Sequence, residues 1–184
     1  VHMDNNESMV SWLPLFHDMG LVGAVLFCFC NDYPLYLMTP TQFVKRPAMW
    51  LRSMNDYGCT IATAPNFGYD HCSRLISDKD VSRWNLQHVK HLFVGAEPIR
   101  VSTISSFTEK FKPAGIRPEM IRPAYGLAES TIITSISLTE HKANFIELEA
   151  NSIAIGEPVQ VLGKINFDED ALKDYGSGTS IAAC

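Results

Sequence analysis

Pro123-Ala124-Tyr125-Gly126-Leu127-Ala128-Glu129-Ser130-Thr131 is the stretch on which the reading of this chain turns. The residues before it predict a strand over 120–122, which the Tyr125–Gly126 pair closes. Glu129 then falls just inside the next predicted helix. The combination suits a nucleotide. An aromatic face can cover a base, a glycine lets the backbone approach phosphate, and a carboxylate offers oxygen to Mg²⁺.

Outward from this stretch, strand and helix patterns alternate. Strands are predicted over 9–13, 33–38, 60–64, 89–94 and 116–122. A loop over 14–20 leads into an apolar helical run from Leu21. A second helix starts near Pro47, with Trp50, Met54 and Tyr57 at i, i+4, i+7 and Gly58 as its stop. A third runs from Asn66 or Phe67 to about Ile76, and Val101, Ile104, Thr108 and Phe111 mark a fourth. Such alternation implies crossover connections and an α/β fold, a mainly parallel sheet flanked by helices. In these sheets ligands gather at the carboxyl ends of the strands. We read residues 1–137 as one α/β subdomain and 138–184 as a partial β-rich segment leading into the next. In that segment residues 153–165 alternate, Asp168 is a plausible helix N-cap, and Gly176-Ser177-Gly178-Thr179 lacks the lysine and spacing of a phosphate-binding loop.

The 184 residues are 46% hydrophobic and 19% charged, an ordinary globular composition with material for one sizeable core. Net charge is −5 with Lys and Arg scattered, so nothing argues for nucleic acid as a partner. The longest apolar run, 21–29, is too short to span a membrane. No secretory signal is visible. Five cysteines in odd number, without a Cys-x-x-Cys pair, argue against a disulfide framework or a zinc ribbon and fit a reducing cytoplasm. Cys28-x-Cys30 reads as buried thiol. The abrupt start at Val1 and the uncapped finish at Cys184 read as a piece cut from something longer.

Three further segments bear on chemistry. In 11–21, His17 either meets a carboxylate or anion or fills a polar niche, with Asp18 capping the following helix. In 62–69, Asn66 and Phe67 either border a pocket for an apolar chain or form a strand-to-helix turn with Asn66 as N-cap. In 92–98, Gly95 and Ala96 either let a flat ring lie on the backbone or make a tight connection, with Glu97 near a helix N-terminus. His88-x-x-His91 is a poor metal pair, because strand residues three apart point to opposite faces. No Gly-x-Ser-x-Gly or Gly-x-Gly-x-x-Gly is present, which removes the hydrolase and dinucleotide readings.

Taken together, Ser-Trp-Leu-Pro-Leu-Phe-His-Asp-Met-Gly-Leu at 11–21, Arg-Pro-x-x-Trp-Leu at 46–51, Ala-Pro-Asn-Phe-x-Tyr-Asp at 64–70, Gly-Ala-Glu-Pro at 95–98 and Tyr-Gly-Leu-Ala-Glu-Ser-Thr at 125–131 resemble the adenylate-forming enzymes, and within them the fatty acyl-AMP ligases. The likeness is dense over 9–137 and thin beyond. It implies the large N-terminal domain of an ATP- and Mg²⁺-dependent ligase that joins a fatty acid to AMP and releases pyrophosphate. The acyl group then passes to an acyl-carrier protein or polyketide synthase. It also implies roles. Tyr125 stacks on adenine, and Gly95, Ala96, Glu97 and Pro98 line its other side. Gly126, Leu127, Ala128 and Ser130 complete the nucleotide contacts. Glu129 binds Mg²⁺, His17 sits by the reacting carboxylate, and Met19, Asn66 and Phe67 border the acyl tunnel. Ala128 replaces the threonine of many members outside this branch. The family's phosphate loop belongs before Val1, and its ribose-binding aspartate and catalytic lysine belong after Cys184. The 184 residues alone are therefore expected to be inactive. Two other parents stay open: an acyl-CoA synthetase, and a silent binding domain of the same fold.

Overall fold

A computed structural model of the chain describes residues 6–136, 144–149, 156, 158, 160–166 and 180–183. Strand β1 (Met9–Ser11) leads through a loop to helix α1 (Asp18–Gly20), a π-helical stretch (Leu21–Leu26) and α2 (Phe27–Asn31), then to β2 (Leu35–Leu37). Helices α3 (Pro40–Lys45) and α4 (Ala48–Tyr57) return to β3 (Ile61–Pro65). Helices α5 (Asn66–Leu75) and α6 (Asp78–Val81) precede β4 (His91–Gly95), and α7 (Val101–Phe111) precedes β5 (Ile121–Tyr125) and the short β6 (Ser135–Ile136). The order in the sheet is β2-β1-β3-β4-β5-β6. All neighbours up to β5 pair in parallel, and β6 is antiparallel. The mainly parallel α/β reading therefore holds. A second, antiparallel sheet has the order β8-β7-β9, with β7 (Asn144–Leu148), β8 (Val161–Asn166) and β9 (Ser180–Ala183). The predicted cap at Asp168 and the loop 176–179 lie outside the described residues.

Strand alternation sends successive side chains to opposite faces. On one face Val10, Ala62, Ala64, Leu92, Val94 and Ile121 join the main core. Its centre is aromatic. The rings of Trp12 and Phe43 stack at 3.9 Å, Trp50 stands edge-on to Phe43 at 5.8 Å, and Tyr69 meets Trp50 at 5.6 Å and Phe107 at 4.9 Å. The buried Tyr69 hydroxyl donates to the Phe93 carbonyl at 2.8 Å, and its burial raises its pKa well above the ordinary phenol value. The indole N–H groups of Trp12 and Trp50 have no hydrogen-bond partner among the described residues. Aromatic packing must offset that desolvation. On the other face Met9, Ala24, Cys28 and Ile61 form a small cluster, with Phe27 and Phe93 against it. Burial pushes the Cys28 thiol up to about 11. Cys30, expected to be buried with it, is exposed: on a helix, residues two apart face different ways.

The local corrections have local causes. The helix after β1 starts at Asp18, inside the expected loop, and His17 rather than Asp18 occupies its N-cap. Helix α3 was not expected. Thr39 and Gln42 form a capping box in front of it, with Pro40 in its first turn. The third helix is preceded by Pro65 as N-cap, so Asn66 is its first residue and not its cap. Strand β5 runs on to Tyr125, beyond the predicted end at 122. The predicted helix holding Glu129 is a single 3₁₀ turn, Ala128–Ser130. Gly58 does end α4, with φ 65°.

Candidate active site

Four of the five quoted segments meet the carboxyl ends of β1, β3, β4 and β5, which the parallel register sets side by side, while 46–51 lies at the start of α4. Between them and the π-helical stretch opens a cleft of about 980 Å³. His17, Asp18, Gly95, Ala96, Tyr125 and Gly126 form its polar mouth. Met9, Val22, Leu26, Ile61, Phe93 and Ile132 form an apolar trough behind it.

Each mouth residue has a local reason for its position. At Gly95 a Cβ would lie 2.6 Å from the Ala124 carbonyl oxygen, so only glycine lets the ends of β4 and β5 approach this closely. Ala96 follows at φ 63°, a left-handed conformation that costs a non-glycine residue about 1–2 kcal/mol. Such strain concentrates at functional sites. Tyr125 ends β5 with 65% of its surface exposed, so a ring face is open to a ligand. Beyond it the chain doubles back. The Thr134 N–H donates to the Tyr125 carbonyl at 2.9 Å, and a Cβ at Gly126 would collide with the Ile132 carbonyl oxygen. The Ser130 hydroxyl donates to the Leu127 carbonyl at 3.0 Å and shares a 2.8 Å hydrogen bond with Thr134 Oγ1, closing the turn that carries Glu129. Glu129 is exposed and has no ion pair or hydrogen bond among the described residues.

At the opposite lip, His17 Nδ1 lies 2.7 Å from Asp18 Oδ1 and 3.1 Å from the Met19 nitrogen, which itself donates to Asp18 Oδ1 at 2.7 Å. The Met19 N–H is shared between His17 Nδ1 and Asp18 Oδ1, which commits Nδ1 to the start of α1. Nε2 is then the ring nitrogen left for a ligand. Met19 and Leu127 to Ala128 also line the cleft.

Glu97, Pro98, Glu129 and Ser130 do not line the cleft; they stand beside it. Asn66 and Phe67 are outside it as well, for a different reason. The Asn66 side chain accepts the Arg100 N–H at 3.0 Å and reaches Thr103 Oγ1 at 3.3 Å, which holds the start of α7. Glu97 Oε1 in turn accepts the Phe67 N–H at 2.6 Å, placing an acid at the N-terminus of α5. The two helices thus cap each other across the ends of β3 and β4. Glu97 therefore does not serve the helix that follows it, as the 92–98 connection suggested; its carboxylate lies at the N-terminus of α5. His71 and His88 are tied separately to the carbonyls of Val44 and Met54, and no group of three metal-type ligands occurs among the described residues.

Sequence reasoning missed Thr63, Phe93, Val22, Leu26, Ile132, Ile133 and Ile136, all of which line the cleft. Strand period could have found the first two, since Thr63 pairs with Phe93 and shares a face with Ile61. The others come from the π-helical stretch, the doubled-back loop and the two-residue strand β6, which no simple periodicity marks.

The chain is 33% identical over 171 residues to the 4-hydroxyphenylalkanoate adenylyltransferase of Mycobacterium marinum, covering 93% of this chain and 27% of that protein. It is 36% identical over 162 residues to the medium-chain-fatty-acid–[acyl-carrier-protein] ligase JamA of Moorena producens, covering 85% of this chain and 27% of that protein. The fatty acyl-adenylate ligase from L. pneumophila, solved in complex with acyl adenylate and pyrophosphate, matches its fold with a TM-score of 0.83 at 32% identity, over 88% of this chain and 28% of that one. The chain therefore spans under a third of the length of each of these relatives. With the AMP-binding enzyme model matching residues 1–169, the chain belongs to the AMP-binding enzyme family.

Proposed function

We propose that the full-length protein activates a fatty acid with ATP. The acid's carboxylate attacks the α-phosphorus, a P–O bond forms to the acyl oxygen, and the bond to the β-phosphate bridge breaks, releasing pyrophosphate. The observation that carries this reading is the cleft itself. A polar mouth at the strand ends, fit for a nucleotide and a carboxylate, opens directly onto an apolar trough fit for an alkyl chain.

In this reading Tyr125 covers the adenine from one side, and the Gly95–Ala96 backbone lies on the other, with Glu97 and Pro98 fixing that segment. Gly126, Leu127, Ala128 and Ser130 shape the turn beside the phosphates. Two anions must meet, so their repulsion has to be offset. Glu129 suits Mg²⁺, since it is an uncommitted carboxylate and Mg²⁺ takes one or two protein carboxylates plus phosphate oxygens and water. Bound there, Mg²⁺ would supply charge neutralisation. His17, oriented by Asp18, offers Nε2 to the carboxylate or the α-phosphate. Met19 borders the acyl chain at the mouth. Asn66 and Phe67 act indirectly, through the α5–α7 capping.

The acceptor in this reading is an acyl-carrier protein, free or within a polyketide synthase, and the protein works in the cytoplasm. Free thiols at Cys28, Cys30, Cys59 and Cys72 support a reducing compartment. Among the described residues no helix is long and apolar enough to cross a membrane.

Product analysis of the full-length protein with ATP, Mg²⁺ and a long-chain fatty acid, with and without coenzyme A, tests the proposal. Acyl-AMP that persists with coenzyme A present and is consumed by a carrier protein is the expected result. Acyl-CoA would assign the protein to the synthetases instead. Failure to form any acyl-AMP would overturn the activity.

A further inference from the structure

A groove of about 650 Å³ runs along the outer side of the helices that close the aromatic face, and it shares no residue with the cleft. One wall is α4, preceded by Lys45 and Arg46. The other is the end of α5, α6 and the turn after it, with Leu75, Arg83 and Trp84. Helix α4 carries two stripes. Trp50, Leu51 and Met54 are buried in the core. Ala48, Met49, Arg52, Asn55 and Asp56, at i, i+1, i+4, i+7 and i+8, line the groove.

Contacts within the protein hold the groove in shape. Asn55 Oδ1 accepts the Asn85 N–H at 2.8 Å, and a His88 ring nitrogen lies 3.0 Å from the Met54 carbonyl oxygen, tying α4 to the segment after α6. Trp84 packs against the main core. The acids of the groove are occupied. Asp56 accepts from Arg52 Nε at 3.0 Å and Asn55 Nδ2 at 2.9 Å, and Asp80 accepts from the Ser77 hydroxyl at 2.8 Å. The side chains of Lys45, Arg46 and Arg83 are exposed and have no hydrogen bond or ion pair among the described residues. Four cations thus face two occupied carboxylates, in a chain whose net charge is −5. Positive charge gathered against the sign of the whole molecule steers an anionic partner to this place.

The shape narrows the kind of partner. Arg46 and Arg52 stand six residues apart on one rim and Arg83 stands on the other, so the cations are strung along the groove and suit an extended acid rather than a single phosphate. Between the rims Met49, Leu75 and Trp84 give an apolar floor. Arg, Trp and Met are the residue types that interfaces favour. The stripe from Ala48 to Asp56 covers about 12 Å at the helical rise, the length over which a partner helix presents acids at i, i+4 and i+7. An apolar floor with charged rims is the groove that receives an amphipathic helix. We infer that this groove docks an acidic amphipathic helix of a partner protein; resting on the acceptor reading above, that partner is the acyl-carrier protein. Neither Arg46 nor Arg83 borders the cleft, so both are docking residues and not catalytic ones.

The test uses the full-length protein and its double variant Arg46→Glu with Arg83→Glu. The probe is the apo form of the source cell's acyl-carrier protein, which lacks the thiol arm and can bind only through its protein surface. The wild type should bind it, more weakly as salt rises, and the double variant should bind at least about tenfold more weakly. Acyl-AMP formation and the melting temperature should not move. A carrier in which two acids of one surface helix are changed to lysine should regain binding to the double variant, a rescue that a merely structural defect does not give. No binding of the apo carrier by the wild type, or equal binding by the double variant, would overturn the docking. So would retention on phosphatidylglycerol vesicles without carrier binding, which gives the groove to a membrane. A lowered melting temperature with acyl-AMP formation lost would show that these cations serve the protein's own packing and would overturn it too. The milder pair Arg46→Ala with Arg83→Ala serves if the reversal does not fold. Transfer of the acyl group to the holo carrier separates the two readings. Transfer that ignores both reversals removes the docking and keeps the acceptor. Groove-dependent binding of the carrier without any transfer keeps the docking and removes the acceptor.

Discussion

The two faces of the six-stranded sheet share a backbone and differ in almost everything else. The face carrying Val10, Ala62 and Leu92 is closed by α4, α5 and α7 over Trp12, Phe43, Trp50, Tyr69 and Phe107, with each of these rings against another. The face carrying Met9, Ile61 and Phe93 is only partly covered. Its cluster is small, its cleft stands open, and Phe16 and Phe29 nearby are 95% and 81% exposed. The difference teaches where stability and function have been put. Large interlocking rings fill the first face and leave no room for a ligand. Glycines and small residues at 23, 95, 96 and 126 keep the second open and bring its strand ends together.

Substitutions can break or sharpen this contrast. The largest effect should come from the closed face. Trp50→Ala, at a fully buried ring, should cost about 3–5 kcal/mol of stability. Thermal or urea unfolding would measure it, and a loss under 1 kcal/mol would mean that the aromatic cluster does not hold the fold. On the open face the loss should be in chemistry. Gly126→Ala drives a Cβ into the Ile132 carbonyl and displaces the turn that carries Glu129, so acyl-AMP formation should fall by about 100-fold. Glu129→Gln should cost a similar factor with the melting temperature unchanged, as expected of an exposed residue that stabilises charge only during reaction. Wild-type rates in that variant would remove Glu129 from the site.

Asn66→Ala sits at the boundary of the two regions. It should cost about 1–3 kcal/mol, because the Arg100 N–H loses its acceptor, while preference among acids stays as it was. A changed preference with stability intact would return Asn66 to the acyl pocket. The smallest effect belongs to the surface. Hydrogen bonds from Asn55 and then Arg52 hold the Asp56 carboxyl below its usual range. A lowered folded-state pKa contributes stability above the unfolded value and loses it as pH falls through the folded one. Asp56→Asn should therefore matter by at most about 0.5 kcal/mol at neutral pH and not at all in strong acid, as unfolding curves at both pH values would register.

Legibility in the sequence followed the same division. Val101, Ile104, Thr108 and Phe111 at helical spacing, and Trp50 with Met54, were readable because one periodic stripe buries one helix face, and all six are buried, whereas Tyr57, the third residue of the α4 stripe, is exposed and stacks on Tyr36. Gly95 and Tyr125 were readable as strand-end residues, and the strands end where a ligand gathers. Asn66 and Glu97 were not readable as partners. Their bonds link segments 30 or more residues apart, and each residue also makes a respectable local cap. The exposure of Cys30 and the single turn around Glu129 likewise depend on neighbours that a local pattern does not contain.

By itself the sequence determined the alternation of strands and helices, the parallel sheet, the buried stripes and the motifs that sit at the strand ends. All of these arise from period, propensity and steric preference within a few residues. Only the tertiary structure decided that one face would be sealed by rings and the other left as a cleft. It alone decided that α5 and α7 would cap each other, and that Ile132 would come to rest against Gly23. Those outcomes depend on contacts between distant segments, where a few tenths of an ångström separate a fit from a collision.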